Sequence, residues 1–558
     1  MAFFRIATVA LNSIALCSFV SGDYVWPNDK TDVIEGMLYE QKGFKSTNVA
    51  TLVANCTGGG GIGRPGQNFG AEWLRNAYHD MATADVLAGT GGLDASIVFE
   101  SDRAENVGGA FAETLASFLS FVTSRSTLSD LFALATVFAL GACSGGNVLI
   151  PMRAGRIDAT DAGPAGVPEP QQDLESHTAS FARQGFTANE MIALVACGHS
   201  IGGVHGVDFP QIVPRPANNT VRHVPFSNEE GTVTFDTTTN DFDNKVAIEF
   251  VGNVSQNPLA FGQNETTRSD FRIFNLDGGK MISDMAASND FFLSTCTDLL
   301  ARMINTVPRG VVLSNVIQPV EVKPRDLRID LAMNGTMTVS GNLRILQSLL
   351  GPASEVRVYL RPRSGGDCST GSACTVVTTT TISGGSTTCL YPNCGPNFDY
   401  HNFSAVVPAA QGVSSFTVEI IRDGVSTIKD NAGHGFPWPD TLQPQLAMSS
   451  QGIVFDNSSL AERLNLTVAV LNAEQFTDIT MTLFENALPR PTVAHYRSSN
   501  ISMTRLTTIP GTNYTLFTGL YKSPPNTLSQ HPYDVVATAA DGSTVTNAYN
   551  LWSLVPHA

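Results

Sequence analysis

Apolar residues recur every three to four positions through most of the first 320 residues, and at every second position through much of the remainder. The first periodicity predicts helices over 71–82, 109–123, 128–142, 173–184, 187–198, 242–252 and 289–306, joined by Gly-, Pro- and Asp-rich loops. The second predicts short strands at 356–361, 416–421, 466–470, 479–484 and 533–538, separated by turn residues. A multidomain chain is therefore expected, with a mainly α-helical domain over 23–320 and an all-β, sandwich-like part over 325–558. The composition changes after Pro308-Arg-Gly and Pro319-Val-Glu-Val-Lys-Pro324, and a division of the β part into two sandwiches falls near Gln443. The Thr-rich stretch 375–388 fits either a strand or an O-glycosylated loop.

Residues 1–22 alter the cellular setting. Arg5 precedes an apolar run, and Val20-Ser21-Gly22 offers small residues for cleavage, as in a secretory signal peptide. Without them the chain keeps 32 basic against 50 acidic residues, an excess that argues against nucleic acid as a partner. No other apolar run is long enough to span a membrane, so none is expected as a partner. Ten Asn-x-Ser/Thr sequons agree with a secreted, extracellular glycoprotein. Cys17 lies in the signal, and the other eight cysteines divide four and four about residue 325, which suits disulfides within each part. Cys368, Cys374, Cys389 and Cys394 crowd one loop. Among the others, Cys56 pairing with Cys143 is favoured, and Cys197 is left as a candidate buried free thiol.

Two stretches carry the candidate chemistry. Ala71-Glu-Trp-Leu-Arg75-Asn-Ala-Tyr78-His79-Asp80 puts a permanent cation and a neutral base one helical turn apart, so both project from one face. Met191-Ile-Ala-Leu-Val-Ala-Cys-Gly-His199-Ser-Ile-Gly-Gly is an apolar helical run ending on a single His among small residues, where a flat group could approach. Taken together and in order, these motifs resemble the plant-type haem peroxidase superfamily, and within it the secreted fungal branch. The resemblance covers roughly residues 50–320 and includes Gly155-Arg-Ile-Asp158 and Val167-Pro-Glu-Pro170.

That resemblance implies haem b held by His199 as proximal ligand, with Asp284 accepting the ligand's other N–H. On the distal side it implies His79 as general base and then acid, Arg75 as charge stabiliser, and Asn106, supported by Glu100, as acceptor for His79. It also implies two calcium ions. The distal set is Asp80, Gly92, Asp94 and Ser96; the proximal set is Ser200, Asp236, Thr238, Asp241 and Asp243. Phe235 stands where intracellular relatives carry an oxidisable Trp, and Tyr78 stands where secreted relatives usually have Phe.

The expected activity is reduction of hydrogen peroxide with single-electron oxidation of small phenolic or aromatic donors at the haem edge. A manganese site would need carboxylates at positions matched to Asn68, Glu72 and Ile201, and only Glu72 qualifies. A surface Trp relay would occupy Leu194. The competing function is a cell-wall or carbohydrate-binding glycoprotein, whose β part binds polysaccharide while the helical part is a non-catalytic scaffold.

Overall fold

The computed structural model of the chain describes residues 24–42, 44, 46–57, 67–214, 231–351, 354–366, 368, 373–382, 397–456, 459–487, 495–524, 532–551 and 554–557. The expected signal peptide, the glycine-rich run 58–66, Cys389, Cys394 and Trp552 lie outside these residues. Helices α1 (Asp32–Tyr39), α2 (Phe69–Met81), α3 (Ala110–Phe118), α4 (Leu128–Cys143), α5 (Leu174–Arg183) and α6 (Ala188–Gly198) come first. A two-stranded ribbon follows, β1 (Gly203–His205) against β2 (Thr232–Thr234). Then come α7 (Lys245–Val251), α8 (Pro258–Phe261), α9 (Ser269–Phe274), α10 (Lys280–Ala287) and α11 (Asn289–Asn305).

Local chemistry sets where these helices start. Asn68, Thr127, Asp173 and Ser288 each accept a first-turn backbone N–H through the side chain, and Thr187 with Glu190 closes a capping box. Helix α4 is apolar on every side, Leu-Ser-Asp-Leu-Phe-Ala-Leu-Ala-Thr-Val-Phe-Ala-Leu, and almost every residue in it is buried. It is the central rod against which α2 packs. Two disulfides fix this arrangement. Cys56–Cys143 ties the segment before α2 to the end of α4, and a Cβ at Gly70 would come within 2.5 Å of the Cys143 sulfur, so only glycine fits there. Cys197–Cys296 joins the end of α6 to α11; Cys197 is therefore a bonded cysteine and not the free thiol expected.

Beyond α11 the described residues are mainly antiparallel β. Strands β3 (Val322–Leu331), β4 (Thr336–Leu346), β5 (Glu355–Arg361), β6 (Thr375–Thr378), β7 (Thr380–Thr381), β8 (Phe398–Pro408), β9 (Ser415–Arg422), β10 (Val425–Lys429) and β11 (Phe436–Pro437) form two sheets. Their orders are β3-β4-β8-β7 and β10-β9-β5-β6, with β11 added beside β9. Alternation explains the burial: Val356, Val358 and Leu360 of β5 point into a core with Ile329, Val339, Val418 and Trp438. The Thr-rich stretch is strand through Thr381. Strands β12 (Leu442–Pro444), β13 (Ser450–Asp456), β14 (Ser459–Leu471), β15 (Phe476–Ala487), β16 (His495–Ser502), β17 (Thr504–Thr508), β18 (Tyr514–Lys522), β19 (Pro532–Ala539) and β20 (Thr544–Leu551) form a second pair of sheets. Their orders are β12-β14-β18-β17, with β13 also on β14, and β16-β15-β19-β20, around Leu466, Val468, Met481, Leu483 and Val535.

A buried ionic seam joins the helical part to the first sheets. Arg344 of β4, with no side-chain exposure, binds both Glu35 within α1 and Glu40 at its C-cap, which are themselves buried. Lys323 of β3 reaches Glu35 at 2.6 Å, and Arg325 pairs with Glu40. Asn431 closes the seam on the other side, exchanging two hydrogen bonds with the backbone of Trp26 at 2.7 and 2.8 Å.

Candidate functional site

A cavity of about 1900 Å³ opens between α2, α6 and the β1–β2 ribbon. Helix α2 turns Trp73 and Leu74 towards the core, while Arg75 and His79, four apart, line the cavity. His79 Nδ1 lies 2.9 Å from Asn106 Oδ1, an oxygen that can only accept. The proton therefore sits on Nδ1, which leaves the Nε2 lone pair for the cavity. Asn106 is held in that orientation by its amide, which donates to the main-chain carbonyl of Glu100 at 3.1 Å. The support expected from Glu100 thus comes from its backbone, because its carboxylate is taken by Arg103 and the Gly163 N–H.

Burial, reinforced by the Arg75 cation, pushes His79 down to about 3, so the ring is a neutral base at ordinary pH. Burial also lowers Arg75 to about 10, against the opposing pull of Asp208 and Glu72. The guanidinium donates to the Val107 carbonyl at 2.9 Å and lies 4.6 Å from the Phe111 ring centre and 5.5 Å from that of Phe209. Tyr78 also lines the cavity, tilted against Phe181 at 6.0 Å, with its phenol buried and its pKa raised by that burial.

Across the cavity His199 sits at the C-cap of α6. Phe235 stacks on its ring at 4.3 Å with a 17° interplanar angle. A side-chain carbon at neighbouring Gly198 would meet nothing within 4 Å, so the glycine leaves the cavity open beside the ligand position. The carboxylate on His199 Nδ1 is Asp270 of α9, at 2.8 Å. The expected partner, Asp284, is a surface residue of α10 paired with Lys280 one turn earlier. It packs outward because Ile282 and Met285 take the buried face of that helix. The fit to a haem rests on this pair of histidines: each has Nδ1 engaged by an acceptor, and each presents Nε2 to one cavity wide enough for a flat macrocycle.

The residues expected to bind calcium fall into two loops. Asp80 is fully buried and accepts the N–H groups of Asp94, Ala95 and Ile97 at 2.8–2.9 Å, while Asp94 accepts that of Ser96 at 3.1 Å. Gly92, at φ +114°, lies against the Thr306 carbonyl at a point where a Cβ would sit 2.6 Å away. Burial raises both Asp80 and Asp94. On the other side, Thr238 bridges Asp236 and Asp243 through its hydroxyl, at 3.4 and 3.1 Å. Burial lifts Asp236 to about 7, and its Oδ2 has no hydrogen-bond partner among the described residues. Asp241 is exposed, and Ser200 directs its hydroxyl to the Cys197 carbonyl at 3.2 Å. Among the described residues no three His, Cys, Asp or Glu side chains converge as a metal cluster; oxygen sites built partly from Thr, Ser and carbonyl groups are a different geometry.

Known proteins similar to this chain include peroxidases. Residues 60–290 match the family model described as Peroxidase. A WSC domain-containing protein of Arthroderma benhamiae is 36% identical over 417 residues, covering 73% of this chain and 54% of that protein. L-ascorbate peroxidase 5, peroxisomal, of Arabidopsis thaliana is 33% identical over 141 residues, covering 25% of this chain and 50% of that one. Manganese peroxidase 3 of Phlebia radiata is 32% identical over 161 residues, with 27% and 43% covered. The chain spans about half the length of the relatives it matches. No described helix is long and apolar enough to cross a membrane. Residues 60–290 are a peroxidase domain of the plant-type haem peroxidase superfamily, followed in this chain by a β-rich part of four antiparallel sheets.

Proposed function

We propose that this is a secreted haem peroxidase that reduces hydrogen peroxide and oxidises small phenolic or aromatic donors one electron at a time. The observation that carries the reading is the opposed pair of histidines in one cavity, one bound to Asn106 and the other to Asp270. Haem b, held by His199, would supply a redox-active iron for the reaction with peroxide. His79, neutral and with Nε2 uncovered, removes a proton from one peroxide oxygen and returns it to the other as the O–O bond breaks. Arg75, held by Val107 and two aromatic rings, stabilises the charge that develops on the leaving oxygen. Two phenols then give up one electron and one proton each, which completes the reduction of peroxide to two waters.

The donor side follows from what the cavity lacks. Asn68 is spent capping α2, Glu72 is engaged by Gln67 at 2.9–3.0 Å, and Ile201 is buried and apolar. Leu194, in the place of a surface relay, is itself 3% exposed. An absorption spectrum of the purified protein should show a Soret band that shifts on adding hydrogen peroxide, with guaiacol turned over faster than manganese(II) or veratryl alcohol. A protein without the band would sink the reading, and faster turnover of either of the other donors would overturn the donor assignment.

Two calcium ions belong to the same proposal, one at Asp80, Gly92, Asp94 and Ser96 and one at Ser200, Asp236, Thr238, Asp241 and Asp243. Without a cation the folded protein keeps a proton on Asp236 up to about pH 7, whereas the unfolded chain releases it near pH ~4. Stability of the calcium-free protein should therefore fall as pH rises through that window and level off above it. A bound divalent ion favours the carboxylate and opposes the fall. Calcium should accordingly raise Tm more at pH 8 than at pH 5; an equal effect at both, or none, counts against the sites.

A further inference from the structure

Asp270 holds more than His199. Its Oδ2 accepts His199 Nδ1–H and also the side-chain N–H of Asn257, each at 2.8 Å, while the Ser269 hydroxyl reaches Oδ1 at 3.3 Å. Asn257 is 1% exposed and Asp270 fully buried, so both hydrogen bonds are made away from bulk solvent. The amide orientation is fixed independently. Asn257 Oδ1 caps α8 by accepting the Leu259 N–H at 2.8 Å, which leaves the NH₂ end for the carboxylate.

We propose that Asn257 is a positioning residue that sets the electron-donating strength of His199 by sharing the one carboxylate oxygen on which that histidine depends. The inference rests on the haem peroxidase reading above. Two N–H donors on one oxygen divide its negative charge between them, so each bond is weaker than either would be alone. Taking Asn257 away concentrates the charge on His199 Nδ1–H and draws that proton towards Asp270. Nε2 then becomes more anionic, a stronger donor to iron, and the higher oxidation state gains. Asn257 thus restrains a ligand that Asp270 activates, and Ser269, acting on the other oxygen, has the lesser influence.

Serine at 257 keeps a cap acceptor for Leu259 but is too short to reach Asp270, while alanine removes both functions. In the haem-loaded protein, Asn257→Ser and Asn257→Ala should both shift the ferric/ferrous equilibrium about tenfold towards ferric, about 59 mV for one electron. Both should also raise the iron–histidine stretching frequency in resonance Raman spectra of the ferrous form. A potential unchanged in Asn257→Ser, or moved in the positive direction, overturns the inference and leaves Asn257 as a helix cap. Wild-type protein without a Soret band overturns the haem reading itself, and the inference with it.

Discussion

His79→Ala is expected to keep haem and to slow the reaction with hydrogen peroxide by about a hundred- to ten-thousand-fold, the range supplied by a positioned acid–base group. Neither Arg75 nor Tyr78, its neighbours on α2, can replace the ring. Arg75 carries no basic lone pair, and Tyr78 is a buried phenol whose pKa is raised further by that burial. His199→Ala should fail differently, losing or loosening haem, because in the proposed reading it is the ligand, with Asp270 on Nδ1 leaving Nε2 free to hold an iron. With His79 lowered to about 3, the wild-type rate constant should stay level from neutral pH down to roughly pH 4 and fall only as protonation sets in. Stopped-flow mixing with peroxide, with haem content measured alongside, decides between these roles. A wild-type rate in the His79 variant would remove it from the mechanism.

The second large effect lies outside the cavity. Arg344→Met should destabilise the protein by about 1–3 kcal/mol, the cost of removing a hydrogen-bonding cation from two buried carboxylates. Here two carboxylates, Glu35 and Glu40, lose the cation they share, and Lys323 and Arg325 are left to serve one each. Glu35 is held down to about 2: burial would raise it, but Arg344 and then Lys323 outweigh that. A carboxylate lowered in this way contributes stability that is complete above its unfolded pKa and is lost as pH falls towards 2. The difference in unfolding free energy between wild type and variant should therefore be large at neutral pH and shrink in acid. Denaturant titrations at pH 7 and pH 3 measure it, and a difference that is small or independent of pH would contradict the seam's role.

The helical half of the site was largely legible before the fold, because the chemistry there follows helical spacing. Arg75 and His79 sit one turn apart, and His199 ends an apolar run, so both ends of the cavity are written in local pattern. Asp270 was not legible in the same way. It belongs to the short helix α9, which follows a four-residue helix and a 3₁₀ turn, too little chain for a period to show. Its neighbours still held a signal: Ser269, Ile273 and Phe274 are all buried, whereas Lys280 and Asp284 form the i,i+4 pair of an exposed helix face. The β part showed the same limit. Strand β5 alternates cleanly, but β3 begins Val322-Lys323-Pro324-Arg325, where the charges of Lys323 and Arg325 point inward to the seam and break the pattern that marks a strand.

That seam also sets an order of events during synthesis. Glu35 and Arg344 are 309 residues apart in the chain. At the usual ribosomal pace, α1 emerges roughly 15 to 60 seconds before the arginine that neutralises its carboxylates. Through that interval a nascent peroxidase domain can assemble α4 and its neighbours, yet it cannot seat Glu35 and Glu40 in their buried positions. Premature termination before Lys323 would release a helical domain whose Glu35 and Glu40 lack their cations, a destabilised substrate for chaperones and quality-control proteases.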